Sequence, residues 1–442
     1  MSGPRHYLIE TWGCQMNVHD SEKMAGQLST MGYSPTSDPG AADVILLNTC
    51  SVREKASAKV FSRLGALRHL KRDNPDLVIG VCGCVAQVES AAILRRAPHV
   101  DLIMGPRNIA RLGELLEQAR RDGRSISLAR EDDPVVFPSA TAARGAGPRA
   151  YVTVMEGCNK TCTYCIVPFT RGREVFRPVE QVLDEVRHLV TLGYPEIELL
   201  GQNVNAYHHG PADFAALLHM VDRIPGVRRL RFTTSHPGHL RHGIVRAMRD
   251  LPSVCNHLHL PAQSGSDAIL AAMRRGYTRD RYISRIDLLR SAIPGITFST
   301  DLIVAFPGET DEDFEATMSL AREVEFDQVY AFTYSPRPGT DAAHLDGTVP
   351  EALARERLQR LLALQEQISA RRNEATIGRT FEVLVDGASR LSPTTLQGRT
   401  TCNRIVHIPA GTATRAGFLN VRITRVHAHS LTGIPAEGAT AA

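Results

Sequence analysis

The chain has 442 residues, of which 43% are hydrophobic and 22% charged, enough for real apolar cores and for two to four domains. No apolar run approaches the ~20 residues of a membrane span, and the start, MSGPRHYLIETWG, lacks the long apolar segment of a secretory signal, so a cytoplasmic protein with no membrane partner is expected. The net charge of +4 excludes a strongly polybasic or polyacidic protein, but residues 371–442 hold nine arginines against four carboxylates and so carry the excess.

Residues 1–120 read as repeated strand–helix units. Apolar strand-like runs at Tyr7–Thr11, Val44–Leu47, Leu77–Val81 and Val100–Met104 alternate with helix-like runs at Ser21–Met31, Glu54–Leu70 and Ser90–Ala97. Short uninterrupted apolar strands alternating with helices predict a buried parallel sheet. Cys14, Cys50 and Cys84 each lie just past a strand's carboxyl end, 36 and 34 residues apart. Ligands of open parallel sheets bind at that edge, so the three thiols should converge there. The fourth strand ends in Met104-Gly105 and adds no thiolate. Buried cysteines also occur as small apolar residues, but three in register favour a metal site. Cys82 alternates with Cys84 and should face the other way, as a structural residue.

Residues 122–150 mix charge, proline, glycine and alanine without period and read as a linker. The stretch that follows, VMEGCNKTCTYCIVPFT, holds Cys158, Cys162 and Cys165 as Cys-x-x-x-Cys-x-x-Cys. Three thiolates on one short loop can hold three corners of a four-iron four-sulfur cube and leave one iron open. Zinc normally takes four ligands, and no second half of such a site lies nearby in sequence. Tyr164 offers a flat side chain that could stack on a bound nucleoside.

Residues 151–335 contain six strand-like runs: Tyr151–Met155, Glu196–Leu200, Arg229–Thr234, His257–Leu260, Thr297–Val304 and Gln328–Tyr334. Amphipathic helical stretches, for example Val179–Leu192 and Ser266–Arg275, separate them. Six such repeats predict a partly open barrel with its active face at the strand carboxyl ends. LLGQNV, TTSHP, LPAQSGS and AFPGET all fall on that face. His236, His257 and His259 are expected to be packed or solvated rather than metal ligands. Residues 350–376 predict a long helix with a stripe of Leu353, Leu358, Leu361, Leu362, Leu364 and Ile368. Short strands at Phe381–Val385, Gln397–Thr401, Ile405–Ile408 and Asn420–His429 then predict a small antiparallel barrel. With its arginine excess, that barrel suits RNA. Cys402 has no partner pattern.

The fold class expected is thus α/β. It comprises an N-terminal open parallel αβ sheet over 1–121, the linker over 122–150, a partial (β/α)6 barrel with a trailing helix over 151–376, and a small β-barrel over 377–442.

The run GCNKTCTYCIVPFTRGRE resembles the cluster loop of radical S-adenosylmethionine enzymes, and most closely their methylthiotransferase branch. TWGCQMN, LNTCSVRE and GCVAQ resemble that branch's amino-terminal domain, and GRTTCNRIVHI is similar to the TRAM-like barrel of its tRNA-acting members. The resemblance covers nearly the whole chain in the same domain order. It implies a 4Fe-4S cluster on Cys158, Cys162 and Cys165 whose open iron binds S-adenosyl-L-methionine, and an auxiliary 4Fe-4S cluster on Cys14, Cys50 and Cys84. It also implies cofactor contacts: Gly201, Gln202 and Asn203 at the methionyl part, and Ser235, Gln263 and Ser264 at the ribose and carboxylate. Arg275, in MRRGYT, belongs to a family signature beside the fourth strand. The family usually has glycine where this chain has Ala305, a methyl group expected to be tolerated.

The implied reaction replaces a carbon–hydrogen bond at adenine carbon 2 with a methylthio group. Its substrate is the isopentenylated adenosine 3′ of the anticodon in tRNA. That carbon has no acidic proton and no leaving group, so a radical is needed. The resemblance implies two S-adenosylmethionine molecules per turnover, one giving the methyl group and one the radical. Implied partners are tRNA, an electron donor protein and a sulfur source, with the chain a monomer. Sister enzymes act on threonylcarbamoyl-adenosine at the same position or on a ribosomal-protein aspartate, and GCQMN points away from both. A non-catalytic iron–sulfur or RNA-binding protein would leave the strand-end motifs unexplained.

Overall fold

A computed structural model describes residues 4–50, 54–128, 137, 142–143, 145, 147–389, 392–410 and 417–436. Much of the stretch read as a linker, and the SVR that follows Cys50, lie outside the described residues. No helix among the described residues is long and apolar enough to cross a membrane.

The N-terminal unit is a six-stranded, all-parallel sheet in the order Tyr33–Pro35, Arg5–Trp12, Val44–Thr49, Val78–Gly83, Leu102–Met104, Ser125–Ser127. Four of these strands are the expected ones. The two edge strands are three residues each, too short to show a hydrophobic period, and Ser125–Ser127 lies inside the stretch read as a linker. Apolar layers cover both faces. Cys82 sits in one of them with Met24, Leu102 and Met104, and burial pushes its thiol up to about 12. The first helix runs over Gln15–Thr30, beginning six residues before the expected start and directly after Cys14.

The chain order reverses direction between Arg5–Trp12 and Val44–Thr49, because Tyr33–Pro35 adds on one side and all later strands on the other. Loops diverge at such a switch point and leave a crevice at the strand carboxyl ends. Cys14 and Cys50 follow the two strands that flank it.

The central unit has all six expected strands. Arg149–Thr153, Glu196–Leu200 and Arg229–Phe232 form one parallel sheet, and His257–His259, Thr297–Val304 and Gln328–Thr333 a second. A bridge from Leu230 to Val254 joins them into one curved, open barrel around a single large core. The helix Glu351–Glu374 packs along the last strand. Its buried positions are Ala354, Arg357, Leu361, Gln365, Ile368, Ser369 and Asn373, so the inward stripe is half polar, whereas Leu362 is exposed. The polar members have partners: Arg357 pairs with Glu309 at 2.8 Å, and Gln365 donates to the Phe326 carbonyl at 2.9 Å.

The last unit is a closed barrel of five strands: Thr380–Ser389, Ser392–Thr400, Ile405–Pro409, Gly417–Val426 and Leu431–Pro435. The fifth, LTGIP, escapes sequence reading because its glycine and proline mimic a turn. This barrel seals the amino-terminal end of the central one. Arg229 donates to the carbonyls of Arg399 and Glu382, and Arg231 to those of Thr400 and Thr401. Arg404 pairs with Asp327 at 2.6 Å, and Arg372 with the same carboxylate at 2.9 Å. Part of the C-terminal arginine excess is therefore engaged in docking rather than facing RNA.

Candidate active site

Each N-terminal thiol is held by backbone features its strand end supplies. Gly83, just before Cys84, has φ +84°, and a Cβ there would lie 2.7 Å from the Thr49 carbonyl oxygen. Only glycine lets these two strand ends approach so closely. Asn17 ties Cys14 to the neighbouring strand: its Oδ1 accepts from the Cys14 thiol at 3.3 Å, and Asn48 Nδ2 donates to its carbonyl at 2.8 Å. The thiols of Cys14 and Cys50 are hydrogen-bonded, which draws Cys14 down to about 6. Burial pushes the Cys84 thiol up, opposed by the charge of Arg171, to which it is hydrogen-bonded. The three thiols therefore meet at one sheet edge, with Cys14 exposed and the other two buried.

The second set lies on the loop after the first barrel strand. Gly157 has φ +82°, and a Cβ there would sit 1.9 Å from the Arg173 carbonyl oxygen, so the loop crosses its own return segment at a glycine. Cys158 N donates to the Gly172 carbonyl at 3.1 Å, and Cys165 N to that of Cys162 at 3.1 Å, closing a turn that gathers the thiols. Burial, then the neighbouring Cys162 and Cys158, push Cys165 up to about 12. All nine cysteines are free thiols. Among the described residues no three His, Cys, Asp or Glu side chains are drawn together as ligands of a single metal ion. Two triplets of free thiols suit a four-iron cube instead, where each thiolate holds a different iron.

The barrel's carboxyl face carries a set of buried polar atoms without a protein partner: Gln202 Nε2, Asn203 Oδ1, Ser235 Oγ and His236 Nε2. Leaving such groups unsatisfied costs about 1–3 kcal/mol each, so the cluster of them marks a ligand site. Their other atoms are fixed. Gln202 Oε1 accepts from Gly157 N at 2.5 Å, and Asn203 Nδ2 donates to Glu174 at 3.0 Å. A Cβ on Gly201 would lie 2.7 Å from the Met155 side chain. Burial, then repulsion from Arg275 and Lys160, pushes His236 down to about 2, so it is neutral. His257 and His259 face hydroxyls of Thr297 and Ser299 on the adjacent strand.

Three strand ends on this face are strained. Thr234, Gln263 and Ala305 have φ of 72°, 73° and 59°, the left-handed region that costs a non-glycine residue about 1–2 kcal/mol. Strain of this kind collects at functional sites. At Ala305 it explains the glycine expected there. The backbone is held in place because Ala305 N donates to Glu309, itself fixed by buried Arg357.

Other expected contacts lie elsewhere. The Ser264 hydroxyl is buried against Thr317 and accepts from Ser266 N, inside the helix packing. Arg275 reaches the cluster loop, donating to Cys162 Sγ at 3.3 Å, to the Pro261 carbonyl and to Tyr277. Tyr164 packs edge-on against Phe306, centroids 6.5 Å apart.

Sequence reading missed the link between the two thiol sets. Arg171, in the short helix Val167–Arg171 that follows the loop, is 3% exposed and donates to Asp20 of the N-terminal helix at 2.5 Å. It also pairs with Glu156 at 3.5 Å and hydrogen-bonds Cys84. Lys23 adds a bond to Thr153 at 3.4 Å. The two sites therefore face each other across one interface pinned by a buried arginine. TRGRE lies in the quoted run, but nothing local marks which of its arginines is buried. Breaking a buried pair from one side costs about 3–5 kcal/mol. Arg171→Met is accordingly expected to loosen the docking of the N-terminal unit by that amount, seen as faster amide hydrogen exchange over Gln15–Thr30. Unchanged exchange there would contradict it.

The chain is similar to known proteins over nearly all of its length. Residues 6–105 match the Uncharacterized protein family UPF0004, 152–321 the Radical SAM superfamily and 374–436 the TRAM domain. The tRNA-2-methylthio-N(6)-dimethylallyladenosine synthase of Burkholderia thailandensis is 46% identical over 437 residues, 96% of each chain. The protein of the same description from Carboxydothermus hydrogenoformans is 45% identical over 435 residues, 97% of this chain and 99% of its own. Among solved structures, the radical S-adenosylmethionine methyltransferase TsrM from Kitasatospora setae superposes with a TM-score of 0.59 at 14% identity, over 77% of this chain and 74% of its own. The cobalamin-dependent radical enzyme OxsB gives 0.53 at 13% identity, over 83% of this chain and 56% of its own. At such identities these two show the fold alone.

Proposed function

This chain belongs to the tRNA-2-methylthio-N(6)-dimethylallyladenosine synthases, and from that membership we propose that it methylthiolates carbon 2 of N(6)-dimethylallyladenosine beside the tRNA anticodon. It is a radical S-adenosylmethionine enzyme that uses S-adenosylmethionine and two 4Fe-4S clusters. When bound, these groups supply the electron, the radical and the sulfur that side chains cannot. The observation that carries the reading is the meeting of two three-thiol sites at the carboxyl edges of two parallel sheets, across the interface pinned by Arg171.

The residues have separable tasks. Cys158, Cys162 and Cys165 hold the cluster that binds the cofactor, and Arg275 fixes Cys162 from behind. Gln202, Asn203, Ser235 and the Gln263 strand end orient the cofactor through polar atoms that otherwise lack partners or through strained backbone. Cys14, Cys50 and Cys84 would hold the second cluster, which would supply sulfur chemistry at that sheet edge. Arg171 sets the separation of the two.

The functional units expected at 1–121, 151–376 and 377–442 keep their order, but the N-terminal one extends through Ser127 and the central one begins at Arg149. The chain works in the cytoplasm as a monomer, supplied by a protein electron donor and a sulfur source. Exposed Arg422 and Arg425 on the C-terminal barrel are its RNA-facing charges. The barrel that carries them docks on the amino-terminal ends of the central strands, and Thr297–Val304 alone spans about 23 Å. The RNA therefore reaches along the protein from that end to the active face.

Three synthetic anticodon stem-loops test the substrate. With reconstituted protein, reductant and S-adenosylmethionine, the loop carrying dimethylallyladenosine should gain a methylthio group and the unmodified loop should not. Equal conversion of a threonylcarbamoyl-adenosine loop would replace this assignment with the sister activity.

A further inference from the structure

Beside the cluster loop lies a cleft of about 590 Å³, lined by Arg107, Cys158, Asn159, Lys160, Phe169 and Arg173 among others. It lies within the size range of small-ligand sites. Its lining includes three cations and no carboxylate. Arg107 comes from the N-terminal sheet, just after Leu102–Met104, the strand end that carries no cysteine. It is 8% exposed, and its Nε and Nη1 have no hydrogen-bond partner. Its guanidinium lies over Gly172, where a Cβ would come within 2.5 Å of it. Lys160 lines the same cleft. Phe169 is 57% exposed, although it sits in a five-residue helix whose next two residues are buried.

Each feature suits single-stranded RNA. A buried arginine with two unpartnered nitrogens, a lysine and an uncovered phenyl ring around one cleft have no packing rationale together. A polynucleotide needs cations for its phosphates and flat faces for unstacked bases. Arg107 comes from the N-terminal unit and Cys158 from the cluster loop of the central one, so the cleft lies where the two units meet.

We propose that this cleft holds the nucleotide adjoining the target adenosine, its base stacked on Phe169 and its phosphate between Lys160 and Arg107. The proposal rests on the RNA-modifying role argued above and gives that role a path for the loop. It leaves the barrel mouth to the adenosine itself. Phe169 is the stacking platform, and the two cations set the register of the strand.

The test measures the affinity of reconstituted full-length protein for a fluorescent anticodon stem-loop carrying dimethylallyladenosine. Phe169→Ala leaves no internal cavity and should weaken binding about tenfold, the loss of one base–aromatic stack. Phe169→Tyr keeps the flat face and should restore it. Lys160→Gln should weaken binding and lower the slope of log affinity against log salt by about 0.7, one phosphate on a single strand. Leu192→Ala, which removes an equally exposed apolar side chain on an outer helix, should change nothing. Wild-type affinity in both Phe169→Ala and Lys160→Gln, at wild-type iron content, would overturn the proposal. Product is scored in parallel: a wild-type protein that binds the loop but converts none of it would refute the assigned reaction, while the affinities still decide the cleft.

Discussion

Protein in which Cys14, Cys50 and Cys84 are all alanine is expected to form no methylthiolated adenosine, yet still to release 5′-deoxyadenosine when given reductant and S-adenosylmethionine. The expectation follows from where the thiols sit. All three belong to the N-terminal sheet edge, whereas Cys158, Cys162 and Cys165, Gln202, Asn203 and Ser235 belong to the barrel's carboxyl face. Removing the first set leaves the second with its backbone supports, Gly157 over Arg173 and Arg275 on Cys162. The reverse triple variant, alanine at Cys158, Cys162 and Cys165, should give neither 5′-deoxyadenosine nor product. Each variant should retain about half of the roughly eight irons that two four-iron cubes contain. Full iron in either variant, or methylthio product from the N-terminal variant, would show that the altered thiols are structural.

Part of this arrangement is legible in the chain because it is written in local pattern. Val44–Leu47 and Val78–Gly83 are apolar runs buried throughout, and such runs announce a parallel sheet. The placing of Cys14, Cys50 and Cys84 follows from that sheet, since each stands at a strand's carboxyl end, although the short edge strand Tyr33–Pro35 also lies between the first two. The six barrel strands are legible for the same reason. The switch point is not, because it depends on which side of the first strand the three-residue strand Tyr33–Pro35 adds.

The residues that escape sequence reading are those whose environment is made by distant parts of the chain. Arg171 and Asp20 are 151 positions apart and look like surface charges until the two units dock. Arg357 interrupts an apolar stripe, yet it is buried because Glu309 waits opposite. The basic excess of the last unit suggests RNA contact, but Arg372 and Arg404 turn out to share Asp327 and lock that unit onto the barrel. Arg107 stands at a strand end like the cysteines. Nothing local in GPRN marks it as buried, because its cover comes from the Gly172 loop of the central unit.

The central claim is that these two thiol sites act together on one adenosine of tRNA. Its most direct test is mass spectrometry of tRNA nucleosides from cells lacking this protein, and from the same cells carrying it again as wild type or as either triple variant. Without the protein, 2-methylthio-N(6)-dimethylallyladenosine should vanish and N(6)-dimethylallyladenosine should accumulate in its place, since the hydrogen at carbon 2 is then never removed. The wild-type protein should reverse both changes completely, and neither triple variant should reverse them at all. Loss of methylthiolated threonylcarbamoyl-adenosine instead, or restoration of the missing nucleoside by a variant that lacks one set of thiols, would contradict the account.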